Sequence, residues 1–483
     1  MYIVTLFSLA AKDCVCTGSR AHDPPCCWQG HSIVPNALEA TPLRGWRSWQ
    51  AFEHDVDQKI MEDTMRGLVR LRPELAGDFL SLAGAGYVDV GLDAGYEAVG
   101  KGYHGSCHDK SGHMLINKTR FPDFVAMNRV AHGLGLTSSW YLNSDECPGP
   151  KEVAAGSTYE TDSADAVHYG FDGVKFDSQR GGPSHNITRW SMTLTAAARA
   201  AGKSEGMVIE NCDDKNPTYL LDDPTNCPYN HYRTGPDNSP SFFGGLHHIF
   251  FWAVPYLRVL KPVPASRPHC WAYPDMLGIG APVKGSYGWQ TARANGCANM
   301  TLDEERTLFA NWAIISSPLV LAFDTRDDAV VGKYWHIVTN QKALEINSAW
   351  AGSAGSLLKQ SASGTNRWVP VGMRCEEDKY AVLPNWLIYT KLLPRGRVAC
   401  LTINVGEKAL DGRDGAEVSL SELLAIITAS GSSRTAISTA TPSSFTAVDV
   451  WTGKVRSSVS AARPWSAAGL SAHNSSFVVF SPV

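Results

Sequence analysis

The sequence predicts an α/β fold, a (β/α)8 barrel followed by a small C-terminal antiparallel β-sandwich domain. Three observations predict it. Between about residues 42 and 350, short apolar runs that end in carboxylates or amides alternate with Ala-, Met- and Leu-rich stretches. Those polar ends fall on five or more runs instead of one, which suits the C-terminal rim of a barrel better than the single switch point of an open sheet. Beyond residue 350 the runs follow one another without helices between them.

Taken in order, residues 1–40 read as a leader and a Cys-rich lead-in. The run "YIVTLFSLAA" has the apolar length and small residues of a signal peptide but no positive n-region. Residues 41–355 form the predicted barrel, with strands ending "YVDVGLD", "SSWYLNSDE", "GVKFDS", "MVIENCDD" and "LVLAFDT". Helices are expected over "PDFVAMNRVAHGLG" and "RWSMTLTAAARAAGK". Continuous apolar strands separated by helices indicate a parallel sheet covered on both faces. A linker-like "SAGSLLKQSASGTNR" leads into residues 356–483, where "KYAVLP", "WLIYTKLL", "RVACLTINV", "AVDVWTG" and "SFVVFSPV" read as antiparallel strands. The stretch "TASGSSRTAISTATPSSF" between two of them reads as a surface loop.

Composition excludes several classes of function. A net charge of -4 and a pI near 6.4 leave no electrostatic footprint for nucleic acid or an anionic membrane. No run reaches membrane length; "IFFWAVPYL" is too short and contains Pro255. His247 and His248 are adjacent and no H-E-x-x-H motif is present, so neither a metal nor a cofactor is expected. The 12 cysteines, and N-x-[ST] sequons at Asn117, Asn186, Asn299 and Asn474, lean toward the secretory route and a secreted, lysosomal or vacuolar protein.

Chemistry enters at the strand ends. In "GVKFD", alternation puts Lys175 and Asp177 on one face of a strand, so both charges look into one space. Asp93, Asp145, Asp177, Asp213 and Asp324 together would line a barrel mouth that is costly to maintain without a polar ligand. Any one of them is equally explained as the cap of the next helix.

The motifs "GWRSWQAF" (45–52), "GVKFD" (173–177), "YRTGPD" (232–237), "YPDMLGIG" (273–280) and "NWAIISSPLVLAFD" (311–324) resemble, in order, those of glycoside hydrolase family 27, the melibiase-type α-galactosidases and α-N-acetylgalactosaminidases. The loop-and-helix stretch beginning "GSCHDKSGH" is similar to one branch of that family, its "HGSCHD" reading as a loop near the sugar. The resemblance implies a retaining glycosidase acting on a carbohydrate substrate, and a homodimer. It implies Asp177 as nucleophile and Asp237 as general acid/base. Retention places two such carboxyl groups about 5 to 5.5 Å apart. It further implies that Trp49, Asp93, Tyr141, Lys175, Asp213, Arg233 and Asp275 bind the sugar, and that Cys212 and Cys227 form a disulfide. Lys175 beside Asp177 would favour the ionised nucleophile; a purely structural ion pair is the competing reading.

Departures from the family pattern bear on substrate. Ala94 in "LDAGYE" stands where a second aspartate usually holds the 4- and 6-hydroxyls of galactose. Gln179 stands where a cysteine would pair with Cys147, and Tyr273 replaces an aspartate before "PD". Terminal α-D-galactose is the expected substrate. An α-N-acetylgalactosaminidase, a β-L-arabinopyranosidase, whose sugar lacks carbon 6, and a sugar-binding homologue without turnover are the alternatives.

Overall fold

Eight short strands, mostly buried, carry the first part of the chain: β1 (Arg44–Arg47), β2 (Asp89–Leu92), β3 (Thr137–Asn143), β4 (Gly173–Asp177), β5 (Val208–Asn211), β6 (His231–Arg233), β7 (Trp271–Tyr273) and β8 (Leu319–Leu321). In the computed structural model, which describes residues 36–143, 157–177, 186–212, 217–258, 263–281, 300–371, 377–429 and 441–483, they form one parallel sheet in the order β7-β6-β5-β4-β3-β2-β1-β8. The sheet curls toward closure: Leu277 N, just past β7, donates to Val320 O on β8 at 2.9 Å. Tyr273, Met276, Val320 and Ala322 pack across this seam. The expected barrel is therefore observed, with its last joint made by one extended segment instead of a full ladder.

Helices return the chain outside the sheet, each started by a residue suited to its first turn. Asp57 caps Gln58–Val69, Asp123 caps Phe124–Gly133 and Asn186 caps Ile187–Ala200, each accepting from a backbone N–H in the first turn. Thr301 and Glu304 form a reciprocal capping box at Leu302–Ile314. The caps thus come from the loops. The strand-end residues Asp93 and Asp177 are left for other partners.

The C-terminal part holds β9 (Ser356–Gln360), β10 (Gly364–Val371), β11 (Glu377–Pro384), β12 (Trp386–Leu393), β13 (Arg397–Asn404), β14 (Glu417–Val418), β15 (Ser444–Asp449), β16 (Val455–Ser460), β17 (Trp465–Ser466) and β18 (Ser475–Pro482). Six of these make an antiparallel sheet ordered β16-β15-β18-β13-β12-β9. Alternation explains why its central strands read as unbroken apolar runs. Leu387, Tyr389, Leu401, Ile403 and Phe477 join the barrel core, while Ile388, Val398, Cys400, Val478 and Phe480 face a second cluster with Leu423. Two readings need correction. The stretch read as a linker contains β9 and the start of β10, and a helix, Leu420–Ala429, fills the second face where none was predicted. Most of the Ser/Thr-rich loop lies outside the described residues.

Candidate active site

Strand register assembles the site. Tyr141 on β3 lies level with Lys175 on β4, Lys175 with Glu210 on β5, and Glu210 with His231 on β6. Asn143 and Asp177 form the next level. Inward-pointing positions on neighbouring strands therefore meet although they are far apart in sequence.

Tyr141 links the two levels. Its hydroxyl donates to Asp177 Oδ2 at 2.9 Å and accepts from Asn143 Nδ2 at 2.6 Å, so the single phenolic proton is directed at the carboxylate. Lys175 Nζ donates to Asp93 Oδ2 at 2.9 Å and lies 5.2 Å from the centre of the Tyr141 ring. Burial alone would lower the lysine pKa. The carboxylates of Asp93, Glu210 and Asp177 outweigh it and hold Lys175 protonated. Asp93 is fixed in turn by Ala94 N, which donates to its Oδ1 at 3.0 Å, while its own N–H donates to Ser48 Oγ at 2.9 Å.

Arg233 organises a second group. Its Nη2 lies 3.1 Å from Asp237 Oδ1 and 3.2 Å from Asp275 Oδ2. The Asp237 side chain is 45% exposed while that of Asp275 is 1% exposed, so only Asp237 is open to exchange a proton with a ligand or water. Burial pushes the Asp275 carboxyl up to about 6 against the pull of Arg233, and the N–H groups of Asn238 (2.9 Å) and Met276 (2.7 Å) hold its two oxygens. His248 lies behind Arg233; burial first, then the arginine charge, lower its pKa to about 3 and keep the imidazole neutral. Trp49 is half-buried and meets the His54 ring edge-on at 4.9 Å.

Of the predicted residues, Asp93, Tyr141, Lys175 and Asp177 form one contact cluster, and Arg233, Asp237 and Asp275 another. Charge connects them, since Asp177 acts on Lys175 and Lys175 on Asp275. Asp213, Asp145, Cys147 and Gln179 lie outside the described residues. Three expectations are corrected. Cys227 bonds to Cys270, near the start of β7, and not to Cys212. Cys212 keeps a buried thiol at the end of β5, where Arg233 Nη1 donates to its sulfur at 3.4 Å. Asp324 leaves the cluster for a two-point pair with its neighbour Arg326, at 2.8 and 2.7 Å. The histidines of the "HGSCHDKSGH" loop turn to the helix Ser157–Tyr169, His108 to Asp162 at 2.9 Å and His113 to Asp165 at 2.8 Å.

Sequence reasoning missed the charges beneath these groups. Arg47 pairs with Asp89 and, at 3.2 Å, with Glu210. Glu210 lies 3.3 Å from His231, whose other nitrogen is 2.9 Å from Glu39. Burial opposes the imidazolium, but Glu39 and Glu210 raise its pKa to about 9. The available signal was alternation in "GWR" and "VIEN", which puts a charged residue inward on a buried strand in each case. Among the described residues no group of three or more His, Cys, Asp and Glu side chains is arranged to hold a metal ion.

A curled parallel sheet whose strand ends present buried carboxylates, one lysine and one arginine defines the class of barrel glycoside hydrolases. The chain belongs to the melibiase family described as "Alpha galactosidase A", whose model matches residues 41–349. It is 25% identical to a probable alpha-galactosidase D of Aspergillus fumigatus over 70% of this chain, and spans only 48% of that protein. It is 24% identical to alpha-galactosidase A of Cellvibrio japonicus, over 78% of this chain and 79% of that one. Its fold is similar to that of alpha-galactosidase I from Mortierella vinacea, with a TM-score of 0.67, 17% identity, and coverage of 92% and 98% of the two chains. A β-L-arabinopyranosidase from Geobacillus stearothermophilus gives a TM-score of 0.66 at 18% identity, covering 94% of this chain and 99% of that one.

Proposed function

We propose that the protein is a retaining exo-glycosidase that hydrolyses terminal α-D-galactosyl residues by double displacement. One observation carries the reading. Asp177 is oriented by the Tyr141 hydroxyl at 2.9 Å beside a buried lysine, while a second, half-exposed carboxylate, Asp237, is held on Arg233 at 3.1 Å.

In the first step an Asp177 oxygen attacks the anomeric carbon as the glycosidic bond breaks, and Asp237 gives its proton to the leaving oxygen. The product is a glycosyl ester on Asp177 and a free aglycone. In the second step Asp237, now ionised, takes a proton from water, whose oxygen displaces Asp177 and restores both groups. Tyr141 orients the nucleophile through its hydrogen bond, and Lys175 places a positive charge nearby. Lys175, Asp93, Arg233 and Asp275 offer donors and acceptors to sugar hydroxyls, and Trp49 offers an apolar wall.

A β-L-arabinopyranosidase is the second reading, favoured by the buried methyl group of Ala94 beside Asp93. Loss of one acceptor for the 4- and 6-hydroxyls weakens selection for a sugar that carries carbon 6. The Cys227–Cys270 bond, the disulfide at Cys107 and the exposed Asn186 of one sequon support the secretory route, to the outside or to a lysosome or vacuole. The expected homodimer is read by light scattering of the full chain. Parallel hydrolysis of p-nitrophenyl α-D-galactopyranoside and p-nitrophenyl β-L-arabinopyranoside tests the reading. Faster turnover of the first supports it, faster turnover of the second selects the alternative, and turnover of neither contradicts both.

A further inference from the structure

A cleft of about 520 Å³ opens where the barrel helix Leu302–Ile314 meets the C-terminal sheet, lined among others by Arg306, Asp449, Trp451, Arg456, Arg463 and Trp465. None of these residues belongs to the Asp177 or Arg233 clusters. Three arginines there face a single aspartate, and that aspartate is already engaged. Asp449 Oδ2 accepts from Arg456 at 3.1 and 2.8 Å, and its Oδ1 accepts from Thr452 at 2.8 and 2.9 Å. Arg306 pairs with Asp303 at 2.5 Å and lies over the Trp451 ring at 5.9 Å. The exposed Arg463 has no carboxylate within ion-pair distance among the described residues.

The imbalance extends to hydrogen bonding. Both oxygens of the lining carboxylate already have donors, so Asp449 leaves the N–H groups of the exposed Arg463 to other acceptors. The wall therefore carries surplus donors and positive charge on the exposed Arg463, next to the partly exposed indole of Trp451, which supplies apolar surface. Such a lining matches a ligand with acceptor oxygens, a negative charge and a ring with an apolar face.

We propose that this cleft is an accessory binding site for an acidic saccharide, a sugar ring bearing a carboxylate, with Arg463 meeting the carboxylate as a planar two-donor fork. The site goes beyond the catalytic reading and does not depend on it. It would hold an acidic glycan on the C-terminal sheet whatever sugar the barrel accepts.

Calorimetric titration of the full chain with digalacturonate, cellobiose and sodium sulfate, repeated on Arg463→Ala, tests it. Digalacturonate is expected to bind at least about tenfold more tightly than cellobiose or sulfate, and Arg463→Ala to weaken it by at least about tenfold. Hydrolysis of the nitrophenyl sugars by Arg463→Ala should be unchanged, showing that the variant is folded. Equal binding of cellobiose, equal binding of sulfate, no binding of digalacturonate, or an unaffected Arg463→Ala would each overturn the proposal.

Discussion

Replacing His231 by glutamine should make the protein's stability respond differently to pH, and the structure sets the size of the difference. His231 is fully buried between Glu39 and Glu210, and these carboxylates raise its pKa from the ordinary 6.5 to about 9 against the opposing effect of burial. A group whose pKa is raised on folding contributes stability that is complete below its unfolded value and is lost as pH rises through the folded one. The gap between 6.5 and about 9, at about 1.4 kcal/mol per pH unit, amounts to about 3 kcal/mol. The raw stability curve is the wrong observable. Lys391, whose burial lowers its pKa to about 7, gains stability over part of the same window, because its unfolded form binds the extra proton. The difference between wild type and His231→Gln removes that contribution. Urea unfolding of both proteins at pH 6, 8 and 10 should give a stability difference that shrinks by about 3 kcal/mol between the first and last. A difference independent of pH would refute the assignment of a charged His231 to this buried triad.

Tyr141→Phe removes the 2.9 Å bond to Asp177 and should lower kcat by about 10- to 100-fold with the fold intact, as measured by circular dichroism and steady-state kinetics. Cys227→Ser opens a bridge spanning 43 residues and should cost about 4 kcal/mol in unfolding free energy, whereas Cys212→Ser should leave the denaturation midpoint close to wild type. Comparable losses from the two substitutions would restore the Cys212–Cys227 pairing expected from the sequence. Ala94→Asp should raise the ratio of galactoside to arabinopyranoside turnover; a ratio that falls or stays fixed would remove Ala94 from the specificity argument.

Much of this architecture is legible along the chain because it rests on local rules. Alternation in "GVKFD" places Lys175 and Asp177 on one face, and both meet Tyr141 across the β3–β4 ladder. The runs from "KYAVLP" onward coincide with β11, β12, β13, β15 and β18 because antiparallel strands carry strong β-formers whichever face they pack. What was not legible depends on register between distant strands. Arg47, Asp89, Glu210 and His231 each look anomalous alone, and only the order of β1, β2, β5 and β6 around the sheet shows that they neutralise one another. The disulfide failed for a similar reason. Cys212 and Cys227 bracket a tempting loop, but Cys212 follows β5 beside Arg233, and Cys227, just before β6, reaches the start of the neighbouring β7. The helix Leu420–Ala429 was hidden because a short apolar run such as "LLAII" does not separate helix from strand by its periodicity.

The central claim is that Asp177 becomes covalently bonded to the sugar. Incubation with a 2-deoxy-2-fluoro-α-D-galactosyl fluoride, whose 2-fluorine slows both displacements while its fluoride leaving group speeds the first, followed by proteolysis and mass spectrometry, tests it directly. The account predicts one sugar per chain, on the peptide containing Asp177, and no labelling of Asp177→Asn. A label on another carboxylate, or an inverted anomeric product from the nitrophenyl galactoside, would contradict it.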